Sequence, residues 1–284
     1  MKIARSKAEL QSLLANKPEE AKVGLVPTMG GLHAGHLSLV HKAQQQCDLV
    51  VVSVFLNPTQ FNDPTDLKTY PHNTEEDIQL LDSEGVDILF LPSVEEMYAS
   101  GEKAPHFELG RVAEVMEGAK RPGHFQGVTW IVSKLFRLVQ PDKAYFGLKD
   151  FQQIAVIKKM IEVSPDMQNI EIVSCPVVRE VDGLALSSRN NRLSPEERAV
   201  APVIYHALQD GMQAKQEGWS VRAVFTRVVQ EINNEPLLTV EYFSIVDGTT
   251  LEEIEEWRPG AVGCITVFCG EKVRLIDHIA FDGE

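Results

Sequence analysis

The runs DLVVVSVFL (48–56) and VDILFLP (86–92) are apolar on consecutive residues rather than on alternate ones. A strand with one wet face alternates apolar and polar side chains, so an unbroken apolar run marks a strand covered on both faces. Similar runs stand at VGLVP (23–27), KAYFG (143–147) and NIEIVSCPVV (169–178), with helical patterns between most of them. Strands joined through helices run parallel, and this order predicts a Rossmann-like, doubly wound α/β sheet. The first stretch, MKIARSKAELQSLLANKPEE, reads as a short polar helix without the apolar core of a signal peptide.

After about residue 178 the texture changes. SPEERAVAPVIYHALQDGMQAKQEG reads as one helix, with Ser194 as cap, Pro195 in the first turn and Glu197 three residues after the cap. A second helix is predicted near 219–234, followed by LLTVEYFSIVD, GAVGCITVFCG and VRLIDHIAF, strand-like runs with no helix between them. These imply a smaller C-terminal α+β domain with an antiparallel sheet, a division into 1–178 and 179–284, and a hinge-like connection near 176–185.

With 284 residues, 44% of them hydrophobic, the chain can bury a sizeable core. Asp and Glu outnumber Lys and Arg by 41 to 27, a formal net charge of -14, which argues against nucleic acid or a membrane surface as partner. No window approaches a membrane span, and a cytoplasmic location is expected. Cys47, Cys175, Cys264 and Cys269 contain no C-x-x-C pair and read as reduced, mostly buried thiols.

The chemistry-bearing residues cluster where a doubly wound sheet binds ligands, just beyond the carboxyl ends of strands. PTMGGLHAGH (27–36) follows the first strand: Gly30, Gly31 and Gly35 permit close backbone approach, and His33 and His36 can lie on one side of a starting helix. That arrangement suits a triphosphate, with imidazoles donating hydrogen bonds and, if protonated, neutralising charge on a leaving pyrophosphate. An ordinary polar helix cap would look the same, and a metal site would lack an obvious third ligand. FLNPTQF places the amides of Asn57 and Gln60 after the second strand, either as a pocket for a small polar substrate or as a turn closed by Asn-Pro.

In FGLKDFQQ, Lys149 can serve a phosphate, Asp150 can cap a helix or hold a ribose or metal, and Gln153 lies one turn on; a solvated helix start is the alternative. DGLALSSRNNRLS offers Ser187, Ser188 and Arg189 as a phosphate clamp on a mobile loop, or as a polar interdomain loop. In MEGAKRPGHFQGV the charges of Glu117, Lys120, Arg121 and His124 could reach a substrate, whereas the following VTWIVSKLFRLV reads as core packing. There is no G-x-G-x-x-G fingerprint, Walker-type phosphate loop or G-x-S-x-G elbow.

These five motifs, in this order over nearly the whole chain, resemble those of the pantothenate synthetase (pantoate–β-alanine ligase) family. It is a member of the H-x-G-H nucleotidylyltransferase superfamily, related to class I aminoacyl-tRNA synthetases. One departure is Leu148, where many members carry Glu. The resemblance implies attack of pantoate's carboxylate on the α-phosphate of Mg-ATP, then capture of the pantoyl adenylate by β-alanine, with Mg2+ accompanying ATP and metal ligands undefined. It implies that Met29, Gly30, Gly31, Leu32, His33, Ala34, Gly35 and His36 wrap the nucleotide, with His36 as candidate proton donor. It adds Gly147, Leu148, Lys149, Asp150, Val178, Leu186, Ser187, Ser188 and Arg189 to the ATP site. Gln60 and Gln153 would hold pantoate, with Asn57, Tyr70, Asp77 and Glu117 as lesser contributors. The C-terminal domain would act as a lid over the adenylate, and the chain would form a homodimer. Two rival readings are a nucleotidyltransferase acting on a phosphorylated acceptor and a catalytically silent nucleotide- or RNA-binding relative. AMP release distinguishes the first, and ATP binding without turnover would favour the second.

Overall fold

A computed structural model describes residues 1–283. Its first half comprises β1 (Lys2–Ala4), α1 (Lys7–Ala15), β2 (Val23–Thr28), α2 (Ala34–Gln46), β3 (Leu49–Val54), α3 (Pro64–Lys68), α4 (Thr74–Ser83), β4 (Ile88–Phe90), α5 (Val94–Met97), α6 (Glu117–Lys120), α7 (His124–Val139), β5 (Lys143–Gly147), α8 (Phe151–Glu162) and β6 (Glu171–Cys175). The six strands form one sheet in the order β1-β4-β3-β2-β5-β6, and every pairing is parallel. The expected Rossmann-like sheet is therefore present, with its reversal of winding between β2 and β5.

Apolar clusters cover both faces, as the unbroken runs imply. Leu10 of α1, Val128 and Phe136 of α7 and Ile157 of α8 pack on one side with Leu25 and Val51. Leu39 and Val40 of α2 and Leu81 of α4 pack on the other with Val26 and Val52. The polar N-terminal helix is corrected in part: Lys2–Ala4 form the edge strand β1, paired with Ile88–Phe90, and only then does Ser6 close a capping box with Glu9 on α1. Three residues are too few to display alternation. β6 is also shorter than its apolar run, because Pro176 has no N–H to continue the ladder.

The second half contains α9 (Pro195–Val200), α10 (Val203–Gln216), α11 (Val221–Asn233), β7 (Leu238–Asp247), β8 (Ala261–Cys269) and β9 (Val273–Ala280). The strands form an antiparallel β7-β8-β9 meander. Ala207 and Leu208 of α10 and Val224 and Val228 of α11 pack on Ile265 and Val267. The predicted Ser194 capping box with Glu197 is formed, but the long helix read there is two: α9 ends before Pro202, which caps α10 and cannot donate a helical hydrogen bond. All four cysteines are free.

An apolar seam and a buried carboxylate help to join the two sheets. Met116 and Phe151 pack with Val246, Val262 and Cys264. Glu117, buried beside them, accepts from Arg274 Nη2 at 2.6 Å, Tyr242 OH at 2.8 Å and Thr266 Oγ1 at 2.9 Å through Oε1, and from Arg274 Nη1 at 2.6 Å through Oε2. Burial works to raise this carboxyl, but the hydrogen bonds and charge of Arg274 overcome it and hold Glu117 at about 2.

Candidate active site

β2 ends at Thr28, and the chain turns sharply through Gly30 at φ 84° and Gly31 at φ 63°. A side chain at Gly31 would be strained there and would stand 2.5 Å from the Pro71 carbonyl oxygen. The turn is held from behind by Asp77, whose carboxylate accepts from Gly31 N at 3.0 Å and Leu32 N at 2.8 Å. It delivers His33 to the N-cap of α2, where Nδ1 accepts from Gly35 N at 3.1 Å. The His33 and His36 rings then lie 4.1 Å apart, centroid to centroid.

Both imidazoles are neutral near pH 7. Burial is the main cause, assisted by the Lys149 charge; it lowers His33 from 6.5 to about 4, and together with His33 itself it lowers His36 to about 3. Neutral rings of this kind are hydrogen-bond donors, the first of the two roles expected of them; the protonated role would need the negative charge of a phosphate beside them. Because His33 Nδ1 is an acceptor, the neutral ring carries its proton on Nε2. His36 Nδ1 is buried with no hydrogen-bond partner among the described residues.

Beyond β3, Asn57 is both things the sequence allowed. Its Oδ1 caps the Pro58–Gln60 turn by accepting from Thr59 N at 3.3 Å and also accepts from Tyr98 OH at 2.6 Å. Its Nδ2 donates to Gln60 Oε1 at 2.9 Å and to the Gly127 carbonyl at 3.1 Å. Asn57 thus lines the cavity but spends its amide on aiming Gln60. Gly127 on α7 makes this possible, since a Cβ there would stand 2.3 Å from the Thr59 carbonyl oxygen.

His124, at the start of α7, meets Gln60 O through Nδ1 at 2.8 Å and Arg121 Nη1 through Nε2 at 3.3 Å. Burial first, then the Arg121 charge, lowers it to about 4, so it is a neutral link between guanidinium and turn. The helix read as core packing is also a wall of the site through Val128, Ile131 and Val132.

One cavity gathers Met29, His33, Gly35, His36, Asn57, Gln60, Gly147, Lys149, Asp150, Gln153, Val178, Leu186, Ser187, Ser188 and Arg189, from the ends of β2, β3, β5 and β6 and the loop before α9. Gly30, Gly31, Leu32, Ala34 and Leu148 are not among its lining residues; the first three shape the turn from behind. Asp150 stands at the start of α8 but makes no side-chain cap, and pairs instead with Lys149 at 3.3 Å. Among the described residues no group of three His, Cys, Asp or Glu could hold a metal on its own.

Sequence reasoning left several lining residues unassigned: Thr28, Phe61, Pro176 and Val177, with Arg121 and His124 noted only as loop charges. Pro176, directly after β6, carried a signal, because the residues that follow a parallel strand line the ligand crevice. Tyr70 OH lies 3.1 Å from Ser188 Oγ. Asp66 of α3 accepts from Arg189 Nη2 at 2.8 Å and Arg192 Nη1 at 2.9 Å. No local pattern in the sequence announces either contact.

Known proteins resemble the chain over its whole length. The family model described as pantoate-beta-alanine ligase matches residues 2–280. The chain is 52% identical to the pantothenate synthetase of Porphyromonas gingivalis, covering 99% of this chain and 100% of the relative. It is 50% identical to that of Bacteroides thetaiotaomicron, covering 99% of each. The crystal structure of pantothenate synthetase from Thermus thermophilus superposes with a TM-score of 0.92 at 44% identity, covering 99% of both chains. The ligase from Francisella tularensis, complexed with Beta-gamma ATP and β-alanine, superposes with a TM-score of 0.84 at 33% identity, covering 100% of this chain and 99% of that one.

Proposed function

The chain belongs to the pantoate–β-alanine ligase family, and from that premise we propose a division of labour within its cavity. The enzyme is an AMP-forming carbon–nitrogen ligase of pantothenate biosynthesis, with ATP as co-substrate. It condenses (R)-pantoate with β-alanine through a pantoyl adenylate, releasing pyrophosphate and AMP. The observation that supports the site assignment is the neutral His33–His36 pair, with His36 Nδ1 buried and unpartnered, in one cavity with Lys149, Arg189, Gln60 and Gln153.

In the first step a pantoate carboxylate oxygen attacks the α-phosphorus of ATP and the bond to pyrophosphate breaks. The nucleophile is already an anion, so no general base or covalent enzyme intermediate is required. Met29, Gly35 and the 186–189 segment, with Gly147 and Val178, hold the nucleotide. His33 donates Nε2–H to a phosphoryl oxygen and His36 does the same from its free ring edge. Lys149 and Arg189 meet the charge developing on pyrophosphate, with the Ser187 and Ser188 hydroxyls beside them. Asn57 takes the Gln60 oxygen, leaving the Gln60 NH2 to pantoate's oxygens, and Gln153 serves from the opposite wall. In the second step the β-alanine amine attacks the acyl carbon and AMP leaves.

Mg2+ would accompany ATP in this reading, with Asp150 as the lining carboxylate that would help to hold it, and would supply positive charge against the leaving pyrophosphate. Residues 1–178 carry most of the site and residues 179–284 close it, as a lid. No helix among the described residues is long and apolar enough to cross a membrane; the cytoplasmic location we assign rests on the biosynthetic family. We further assign a homodimer, on family likeness alone.

The test is pyrophosphate release from Mg-ATP with pantoate alone, then pantothenate and AMP formation after β-alanine is added. His36→Ala is expected to slow pyrophosphate formation by about 100-fold or more. No pantoate-dependent pyrophosphate from the wild type, or a His36→Ala rate within about twofold of it, would overturn this assignment.

A further inference from the structure

Arg189, the guanidinium assigned to the ATP phosphates, is not held by its own loop. Its Nη2 donates to Asp66 Oδ2 at 2.8 Å, and Arg192, one 3-10 turn on, donates through Nη1 to Asp66 Oδ1 at 2.9 Å. Both oxygens of one carboxylate are thus committed to two arginines of the Ser188–Arg192 turn, 123 and 126 residues away in sequence. Asp66 itself is well fixed: α3 is capped by Asp63, whose Oδ1 accepts from Thr65 N at 2.7 Å, and Pro64 sits in its first turn.

A second contact runs parallel to the first. Tyr70, buried just after α3, reaches Ser188 Oγ with its hydroxyl, and the Arg189 guanidinium stands 5.6 Å over the Tyr70 ring. Phe61 packs edge-on against Tyr70 at 5.7 Å, and both rings line the cavity. Asp66, Tyr70 and the Ser188–Arg192 turn therefore form a strap from one sheet's loop to the other's, across the cavity that holds His33, His36 and Gln60.

We propose that Asp66 is a positioning residue for this reaction, aiming Arg189 at the ATP phosphates and keeping the Ser188–Arg192 turn closed over the acyl adenylate. The inference rests on the ATP-site reading above. Asp66 touches no reacting atom; it acts through Arg189. A guanidinium has five donors, so pairing one edge with Asp66 leaves others for phosphate oxygens. If the strap opens, water attacks the acyl carbon, the bond to the AMP oxygen breaks, and pantoate and the AMP dianion are returned with loss of both water protons to solvent. The enzyme then consumes ATP without making the amide.

The test is Asp66→Asn, which keeps the side chain's volume and removes its charge, with Asp66→Glu as the conservative partner and a thermal melt to confirm folding. In the wild type AMP and pantothenate form one to one; absence of pantothenate there would defeat the ATP-site reading itself, before Asp66 is tested. Asp66→Asn is expected to raise KM for ATP about tenfold, leave KM for pantoate within about twofold, and release more AMP than pantothenate. Asp66→Glu is expected to restore part of both. A merely structural role would lower the folded fraction while leaving KM for ATP and the one-to-one ratio unchanged, and that result would overturn the proposal. A lower KM for ATP in Asp66→Asn would also overturn it, by showing that Asp66 competes with the phosphates for Arg189.

Discussion

The His33 and His36 side chains have a measurable consequence away from catalysis. In the unfolded chain their imidazoles take up protons near 6.5; in the folded chain His33 does so only near 4 and His36 only near 3, chiefly because both are buried. Between those values the unfolded chain binds more protons, so their effect is to reduce stability as pH falls below 6.5. Each should cost about 1 kcal/mol by about one pH unit below that point. Thermal midpoints measured across that interval should fall more steeply for the wild type than for His36→Gln. Equal slopes would mean that the ring is protonated in the folded chain. The sequence showed where these two residues lie but not their charge state, because their surroundings include the Lys149 charge and the Leu186 side chain beside Gly35, more than a hundred positions away.

At the scale of elements, α7 against the Pro58–Gln60 turn is the contact on which substrate geometry depends. Gly127 is the point of closest approach, and Gly127→Ala should push the Thr59 carbonyl away, break the Asn57 Nδ2 bond to the Gly127 carbonyl and displace Gln60. We expect a loss of about 2 kcal/mol, read from urea unfolding, and a rise in KM for pantoate. A variant with unchanged KM would show that Gln60 does not hold pantoate. Several elements were legible in sequence: β2 and β3 from their apolar runs, the start of α9 from its capping box, the β7-β8-β9 meander from strands without intervening helices. Those missed were short or interrupted. β1 has three residues, α3 five, and the break at Pro202 lay inside an otherwise continuous helical pattern. Three of the motifs, at 27–36, 55–61 and 146–153, were legible because each adjoins the end of a parallel strand; the Asp66 and Glu117 pairings were not, because both partners are polar residues brought together only by the fold.

For the molecule as a whole, Glu117 is a polar tie between one sheet and the other. Removing its charge while Arg274 stays half-buried leaves a guanidinium short of a partner, and Glu117→Gln should cost about 3 kcal/mol. The loss should appear as earlier protease cutting in the 176–187 connection and as a separate unfolding step for the antiparallel sheet; a single, unshifted transition would show that the apolar seam alone joins the two. Acid should have a similar effect, since a carboxyl held at about 2 in the folded chain gives stability that is present above the usual range and lost as pH falls toward that value. The same carboxylate also bears on the enzyme's birth. Its main partner, Arg274, is synthesised 157 residues after it, so in a nascent chain that has already built its parallel sheet the acid is met only by the longer, 3.6 Å contact with Arg121. The joint between the two sheets is therefore fastened last, once β9 has left the ribosome.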